Sequence, residues 1–191
     1  MDLLHTAHVP AGDGPFPTVV ALHGWGASAH DLIGLAPFFQ RGSALVLCPE
    51  GPVSFEIGPG LAGHGWFPLA GAGPPDPRAF QRGADLLRRF LDEAFTRYPV
   101  ERRKVVLLGF SQGGVMAYDL ALREPGRFTG LVALSSWLPA PLVPARQPEH
   151  EGFPTFVVHG TQDPMIPVER DRKSTRLNSS HLKLSRMPSS A

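Results

Sequence analysis

The sequence predicts an α/β domain in which a mostly parallel β-sheet is covered by helices on both faces. Short, nearly continuous apolar runs recur along the chain, which is typical of strands that are buried on both sides. Amphipathic segments lie between these runs, and alternating strands and helices favour a parallel sheet. The chain has 191 residues, of which 42% are hydrophobic, and this suits a single domain with a sizeable core.

Five runs rich in leucine or β-branched residues are predicted to form the buried strands, and a weaker pattern near the start predicts an edge strand. The five runs are residues 18–22, 44–48, 104–110, 129–135 and 155–160, and the edge strand is 3–9.

Three segments are predicted to be helical: residues 29–39, 75–99 and 112–125. The second is the strongest, because Asp76 can cap it, Pro77 suits a first helical turn, and apolar residues follow at helical spacing. Two other stretches, 49–77 and 135–154, are rich in glycine and proline and are predicted to be irregular. Long loops inside a compact domain often carry function.

Composition excludes several classes of partner. The net charge is +1 for the whole chain and −3 for residues 1–170, so no basic excess indicates nucleic acid or a membrane surface. No apolar stretch is long enough to span a bilayer, and the start lacks the pattern of a secretory signal, so a cytoplasmic enzyme is expected. The single cysteine, Cys48, ends an apolar run and is predicted to be a buried thiol. The oligomeric state is not indicated.

The sharpest motif is Gly109-Phe110-Ser111-Gln112-Gly113, which fits the pattern G-x-S-x-G. It follows a predicted strand and opens a predicted helix, which is the context that a nucleophilic serine on a strained turn requires. The helix N-terminus beside the serine offers N–H groups and a positive dipole end to a developing oxyanion. Ser111 is therefore predicted to be a nucleophile.

A second motif, His23-Gly24-Trp25-Gly26, follows the first buried strand. In this architecture the turn after an early strand supplies a second oxyanion donor. The backbone N–H groups of Trp25 and Gln112 are the predicted pair. His23 precedes the nucleophile, whereas the catalytic histidine of such folds follows it, so His23 is predicted to have a structural role.

A third motif is His159-Gly160 followed by Asp163. A carboxylate in the loop after a late strand is where the acid of a Ser-His-Asp triad belongs, so Asp163 is predicted to be catalytic. His159 is predicted to be part of the scaffold. The histidines show no metal-ligand spacing with acids or cysteine, and no metal or cofactor is expected.

The stretches that begin at Leu22, Leu107, Ala133 and Val157 together resemble the phospholipase/carboxylesterase branch of the α/β-hydrolases, which includes the acyl-protein thioesterases. The resemblance implies Ser111 as nucleophile, Asp163 as acid and main-chain donors at Trp25 and Gln112. It implies a small-molecule acyl ester or thioester as substrate. Trp66 and Trp137 resemble aromatic residues that border the family's pocket, although core packing is an equal alternative for both. Pro68 stands where thioesterase members often carry aspartate.

The family pattern also implies a strand, a loop with the triad histidine and a final helix after the aspartate. His181 follows Asp163 by only 18 residues, and no strand pattern separates them. Most of 171–191 matches an in-frame translation of a short-read sequencing adapter. We therefore expect 171–191 to be a non-native, disordered tail, with the last strand and helix lacking and the triad histidine absent. Such a fragment is expected to be essentially inactive and poorly soluble.

Two other function classes remain open. One is a non-catalytic ligand-binding protein on a hydrolase scaffold. The other is an enzyme of the dienelactone-hydrolase or peptidase type, although serine rather than cysteine at position 111 disfavours the first of these.

Overall fold

The computed structural model describes residues 2–69, 75–140 and 148–160, and the backbone of 182–185. Nine strands are described within these ranges: β1 His5–His8, β2 Phe16–Leu22, β3 Leu45–Pro49, β4 Val53–Gly58, β5 Leu61–Gly65, β6 Val100–Phe110, β7 Gly130–Leu134, β8 Thr155–Val158 and β9 Leu182–Ser185. Seven of them form one sheet in the order β1-β3-β2-β6-β7-β8-β9. Only β1 runs antiparallel to its neighbour, so the predicted mostly parallel sheet with an edge strand is confirmed.

Helices α1, Pro77–Arg97, and α2, Gln112–Arg123, pack on one face of this sheet, and a 3₁₀ segment, Ile33–Gly42, packs on the other. Helix α1 begins as the sequence predicts, because the Asp76 carboxylate accepts a hydrogen bond of 3.1 Å from the N–H of Arg78. In the described ranges no helix is both long and apolar enough to cross a membrane.

Alternate residues of the strands divide the core between the two faces. The inner face, under α1 and α2, carries Val20, Leu22, Leu45, Leu47 and Leu107, and all of these are fully buried. The outer face carries Val19, Ala21, Val46, Cys48 and Leu108 and packs against Ala36. Cys48 is buried, as predicted, and this burial raises the pKa of its thiol to about 12.

The helix predicted over 29–39 is a 3₁₀ segment instead, and it begins four residues later than expected. Pro37 lies inside it and cannot donate a backbone hydrogen bond, which shortens any regular α-helix there. Gln40 and Arg41 have φ angles of 48° and 57°, so the chain leaves the helical conformation at its end.

The stretch 49–77 is more regular than predicted, since β4 and β5 pair as an antiparallel hairpin within it. Its turn uses Gly60, whose φ of 70° suits a residue without a side chain. The apolar positions Val53, Phe55 and Ile57 alternate with Ser54 and Glu56, which is the period of a strand, but the surrounding glycines and prolines masked that signal.

The backbone of Leu182–Ser185 forms strand β9, which pairs in parallel with β8. These four residues, the only part of 171–191 that the structure describes, differ from the predicted disordered tail. The physical reason is that β8 offers a row of unpaired N–H and C=O groups, to which the short alternating sequence Leu-Lys-Leu-Ser adds as a strand.

Candidate active site

Ser111 lies on a strained turn between β6 and α2. Its φ of 51° and ψ of −117° are rare for a residue with a side chain, and this strain typically costs about 1–3 kcal/mol. The turn is held by the N–H of Ser111, which donates to the carbonyl of Leu134 at 2.9 Å, and by the N–H of Gly114, which donates to the carbonyl of Ser111 at 3.0 Å. The side chain is half-buried at the N-terminus of α2.

Two glycines of the motif are required by close packing. A Cβ atom added at Gly109 would lie 2.5 Å from the carbonyl oxygen of Gly113, and one added at Gly113 would clash with the carbonyl of Leu22 at the end of β2. Strand β6, helix α2 and the end of β2 therefore approach one another more closely than any larger residue allows.

The turn after β2 lies beside the serine. A Cβ atom added at Gly24 would lie 3.3 Å from the Cβ of Ser111. The N–H of Gly26 donates to the carbonyl of His64 at 2.9 Å, whereas no backbone carbonyl in the described ranges accepts from the N–H of Trp25. Because Gln112 is the first residue of α2, its N–H has no partner within the helix.

The side chain of Gln112 joins the turn at Ser111 to the segment that follows β5. It is buried, its Oε1 accepts from the N–H of Trp66 at 2.7 Å, and its Nε2 donates to the carbonyl of Phe67 at 2.7 Å. Trp66 is fully buried, and its indole N–H donates to the carbonyl of His23 at 2.9 Å. Trp66 is therefore part of the core in this structure, which agrees with the core-packing alternative for this residue.

His23 is engaged on both ring nitrogens. Its Nε2 accepts from the N–H of Gly51 at 2.9 Å, so its Nδ1 carries the proton and donates to the carbonyl of Gly24 at 2.8 Å. Burial lowers the pKa of His23 below its ordinary value, and the carbonyl of Gly24 and the charges of Asp31 and Glu50 offset only part of this effect. The predicted structural role of His23 is confirmed.

Sequence reasoning missed Ser136, which supports the strained turn from behind. This serine is fully buried, and its Oγ donates to the carbonyl of Ser111 at 2.8 Å. A Cβ atom added at Gly114 would clash with the Ser136 side chain, so the two residues are matched in size. The adjacent Ser135 has a φ of 44°, which is the one local sign that the end of β7 also turns sharply.

The remaining predicted residues lie apart from this cluster or outside the described ranges. Trp137 is half-buried and packs against the inner core. His159 is buried at the end of β8, which agrees with a scaffold position. Asp163 and His181 lie outside the described residues.

The described arrangement combines a partly open hydroxyl, a helix N-terminus and a neighbouring turn with an unengaged N–H. These are the elements that acyl transfer requires around a tetrahedral oxyanion. Within the described ranges no group of three or more histidine, cysteine or acidic side chains could hold a metal ion.

Comparison with known proteins places this arrangement among hydrolases. The family model for phospholipases and carboxylesterases matches residues 5–189, so the match extends into the segment predicted to be non-native. An acyl-protein thioesterase 1 of Gibberella zeae is 26% identical over 186 residues, covering 88% of this chain and 78% of that protein.

Solved structures show the same fold. A Bacillus cereus carboxylesterase superposes with a TM-score of 0.77 at 23% identity, covering 97% of this chain and 84% of that one. A carboxylesterase of Mesorhizobium loti gives a TM-score of 0.74 at 19% identity, with coverages of 93% and 81%. The fold is that of the α/β-hydrolases, and the chain belongs to the phospholipase/carboxylesterase family.

Proposed function

We propose that the protein is a serine hydrolase of carboxylic esters or thioesters that works through an acyl-enzyme on Ser111. The observation that carries this proposal is the strained Ser111 at the N-terminus of α2, with the turn of Gly24 and Trp25 beside it. Strain of this kind clusters at functional sites, and a nucleophilic serine on a tight turn between a strand and a helix is one of them.

The proposed reaction has two steps. Ser111 Oγ forms a bond to the acyl carbon while a histidine takes its proton, and the oxyanion is held by the N–H groups of Trp25 and Gln112. The bond to the leaving alcohol or thiol then breaks, and the histidine returns the proton to it. Water next attacks the acyl-enzyme by the same route and releases the acid. Asp163 orients the histidine and stabilises its charged form.

The segment 171–191 forms a second part of the proposal. If it is not native, His181 is not the base, and the 191-residue chain turns over esters poorly. Loss of the base from a serine triad lowers turnover by about 10⁶ in one protease.

The test measures hydrolysis of a short p-nitrophenyl ester, an acyl thioester and a lysophospholipid by the 191-residue chain, Ser111→Ala and His181→Ala. We expect very slow hydrolysis by the unaltered chain, little further loss in Ser111→Ala, because triad residues act as a unit, and no change in His181→Ala. Rapid turnover that His181→Ala abolishes would show that the tail supplies the base. Rapid turnover that survives in Ser111→Ala would overturn the assignment of the nucleophile.

The two alternatives predict other results. A non-catalytic binding protein would leave Ser111 unmodified by every acyl donor. A peptidase-type enzyme would cleave amide substrates at rates comparable to those for the ester.

A further inference from the structure

The Gln112 side chain occupies a position that its backbone role does not require. Only its N–H takes part in the proposed oxyanion hole, yet the amide group is almost completely buried and makes two hydrogen bonds of 2.7 Å. Both partners, the N–H of Trp66 and the carbonyl of Phe67, are main-chain groups more than 40 residues away in sequence. An amide is the side chain that can accept from one and donate to the other at once.

Trp66 carries this connection onward to the end of β2. Its indole N–H donates to the carbonyl of His23, and its ring packs against the His23 imidazole with centroids 5.4 Å apart. His23 directly precedes Gly24 and Trp25. A continuous set of contacts, here called the Gln112–Trp66–His23 bridge, therefore links the serine turn to the turn that carries the Trp25 N–H.

Strand β5 reinforces the same connection. His64 exchanges two backbone hydrogen bonds of 2.9 Å with Gly26 and Ala27, so the turn after β2 pairs with β5. A Cβ atom added at Gly65 would lie 3.0 Å from Oε1 of Gln112 and would clash with the ring of Trp25. Gly65 is thus packed between the two residues that are proposed to supply the donors.

We propose that Gln112, through Trp66, is a positioning residue that fixes the two oxyanion donors relative to each other. Its own N–H is set by α2, and the N–H of Trp25 is set by the bridge and β5. The inference rests on the proposed function, because the spacing of two donors matters only where an oxyanion forms. A misplacement of one donor would slow acyl transfer while leaving substrate binding intact.

Three variants test the bridge. Gln112→Met keeps a side chain of similar volume but loses both hydrogen bonds, and Trp66→Phe loses the indole donor. The third is the double variant. The control is Gln81→Met, because Gln81 is an exposed glutamine on α1. The rate at which a fluorophosphonate labels Ser111 is measured over a range of probe concentrations. The maximal rate reports the covalent step, and the half-saturating concentration reports binding of the probe. Hydrogen exchange of the Trp66 backbone amide reports the bridge itself, whatever the activity.

We expect Gln112→Met and Trp66→Phe each to lower the maximal labelling rate roughly tenfold with half-saturation unchanged, as the loss of one buried hydrogen bond implies. The double variant is expected to be no slower than either single variant, because both break the same bridge. Amide exchange at Trp66 is expected to be roughly tenfold faster in Gln112→Met and unchanged in Gln81→Met.

The conservative variant Gln112→Glu gives a labelling rate that is expected to depend on pH. In Gln112→Glu the protonated acid can still donate to Phe67, whereas the ionised carboxylate faces that carbonyl oxygen and is repelled. The labelling rate of Gln112→Glu relative to the unaltered chain is therefore expected to rise as the pH falls.

Effects that multiply to roughly a hundredfold in the double variant would overturn the bridge, because independent sites add in free energy. Unchanged Trp66 exchange in Gln112→Met would overturn it as well. If the unaltered chain is not labelled at all, Ser111 is not activated in the 191-residue chain, and the proposed positioning of the donors is overturned as a functional inference for this chain. In that case Trp66 exchange still shows whether the bridge exists as a structural contact.

Discussion

The positions and contacts of the residues at the candidate site could be predicted from the sequence to different extents. The strained turn at Ser111 was predictable because its motif is local, with the glycines, strand and helix that it needs all within a few residues. The side-chain role of Gln112 was not, because its partners lie 45 and 46 residues away and only the fold brings them together. Trp66 was predicted as a pocket candidate for the same reason, since sequence alone does not separate a buried tryptophan from one that borders a cavity.

The burial of the His23 imidazole predicts how the free energy of unfolding depends on pH. Because burial lowers the pKa of His23 in the folded protein, the folded state takes up this proton at a lower pH than the unfolded chain, in which the imidazole has its ordinary pKa of 6.5. The unfolded state then holds more protons, so the free energy of unfolding falls as the pH drops below about 6.5. Denaturant unfolding at a series of pH values measures this slope.

The variant His23→Gln is expected to flatten the slope between pH 6.5 and 5, because it removes the titrating group. The exposed His30 provides the matched control, and His30→Gln is expected to keep the full slope. Equal slopes in His23→Gln and the unaltered chain would contradict this account.

At the scale of elements, the strands of the large sheet were easier to predict than the segments around them. A strand covered on both faces must be apolar along its whole length, and β2, β3, β6, β7 and β8 all carry that signal. The β4–β5 hairpin is held partly by contacts with the turn after β2, which no local pattern encodes. The 3₁₀ segment was also beyond a local pattern. Its apolar spacing predicts a helix, but Pro37 and the packing decide that the helix is 3₁₀ rather than α.

The contact between α1 and α2 depends on a buried carboxylate, Asp119, whose side chain is 1% exposed. It accepts from Arg88 on α1 at 2.5 Å and from Arg123 at 2.6 Å. We expect Asp119→Ala to lower the free energy of unfolding by about 3 kcal/mol, because it leaves the Arg88 guanidinium, itself mostly buried, without its closest partner. Chemical denaturation measures the change.

Asp85 supplies the comparison, since it also pairs with Arg88 but its side chain is 51% exposed. Asp85→Ala is expected to cost less than about 1 kcal/mol. Equal losses in the two variants would show that burial of Asp119 does not decide its contribution.

At the scale of the whole molecule, the residues that the structure describes cover the two faces of the large sheet unevenly. The inner face is closed by α1 and α2, whereas on the outer face Phe110 of β6 and Phe156 of β8 are 44% and 40% exposed. Exposed aromatic side chains on a parallel sheet favour association, because such sheets are usually covered on both sides. If the protein associates, as the sequence predicts, these two side chains are the expected contact site.

We expect Phe156→Thr to reduce self-association without loss of stability, because threonine suits a strand and the side chain faces solvent. Light scattering over a range of protein concentrations measures the association. Val157 is the neighbouring residue on the inner face and is fully buried, so Val157→Thr is expected to destabilise the protein instead. Unchanged scattering in Phe156→Thr would mean that another surface drives association.

The most direct test of the central claim is to locate a covalent adduct on the protein. Incubation of the 191-residue chain with a fluorophosphonate, followed by peptide mass spectrometry, identifies the modified residue. The 191-residue chain is expected to lack the histidine that activates the serine, so labelling is expected to be slow and to need a long incubation. We predict a single adduct on Ser111 that Ser111→Ala abolishes. An adduct on another residue in place of Ser111 would contradict the proposed assignment of this protein as a serine hydrolase.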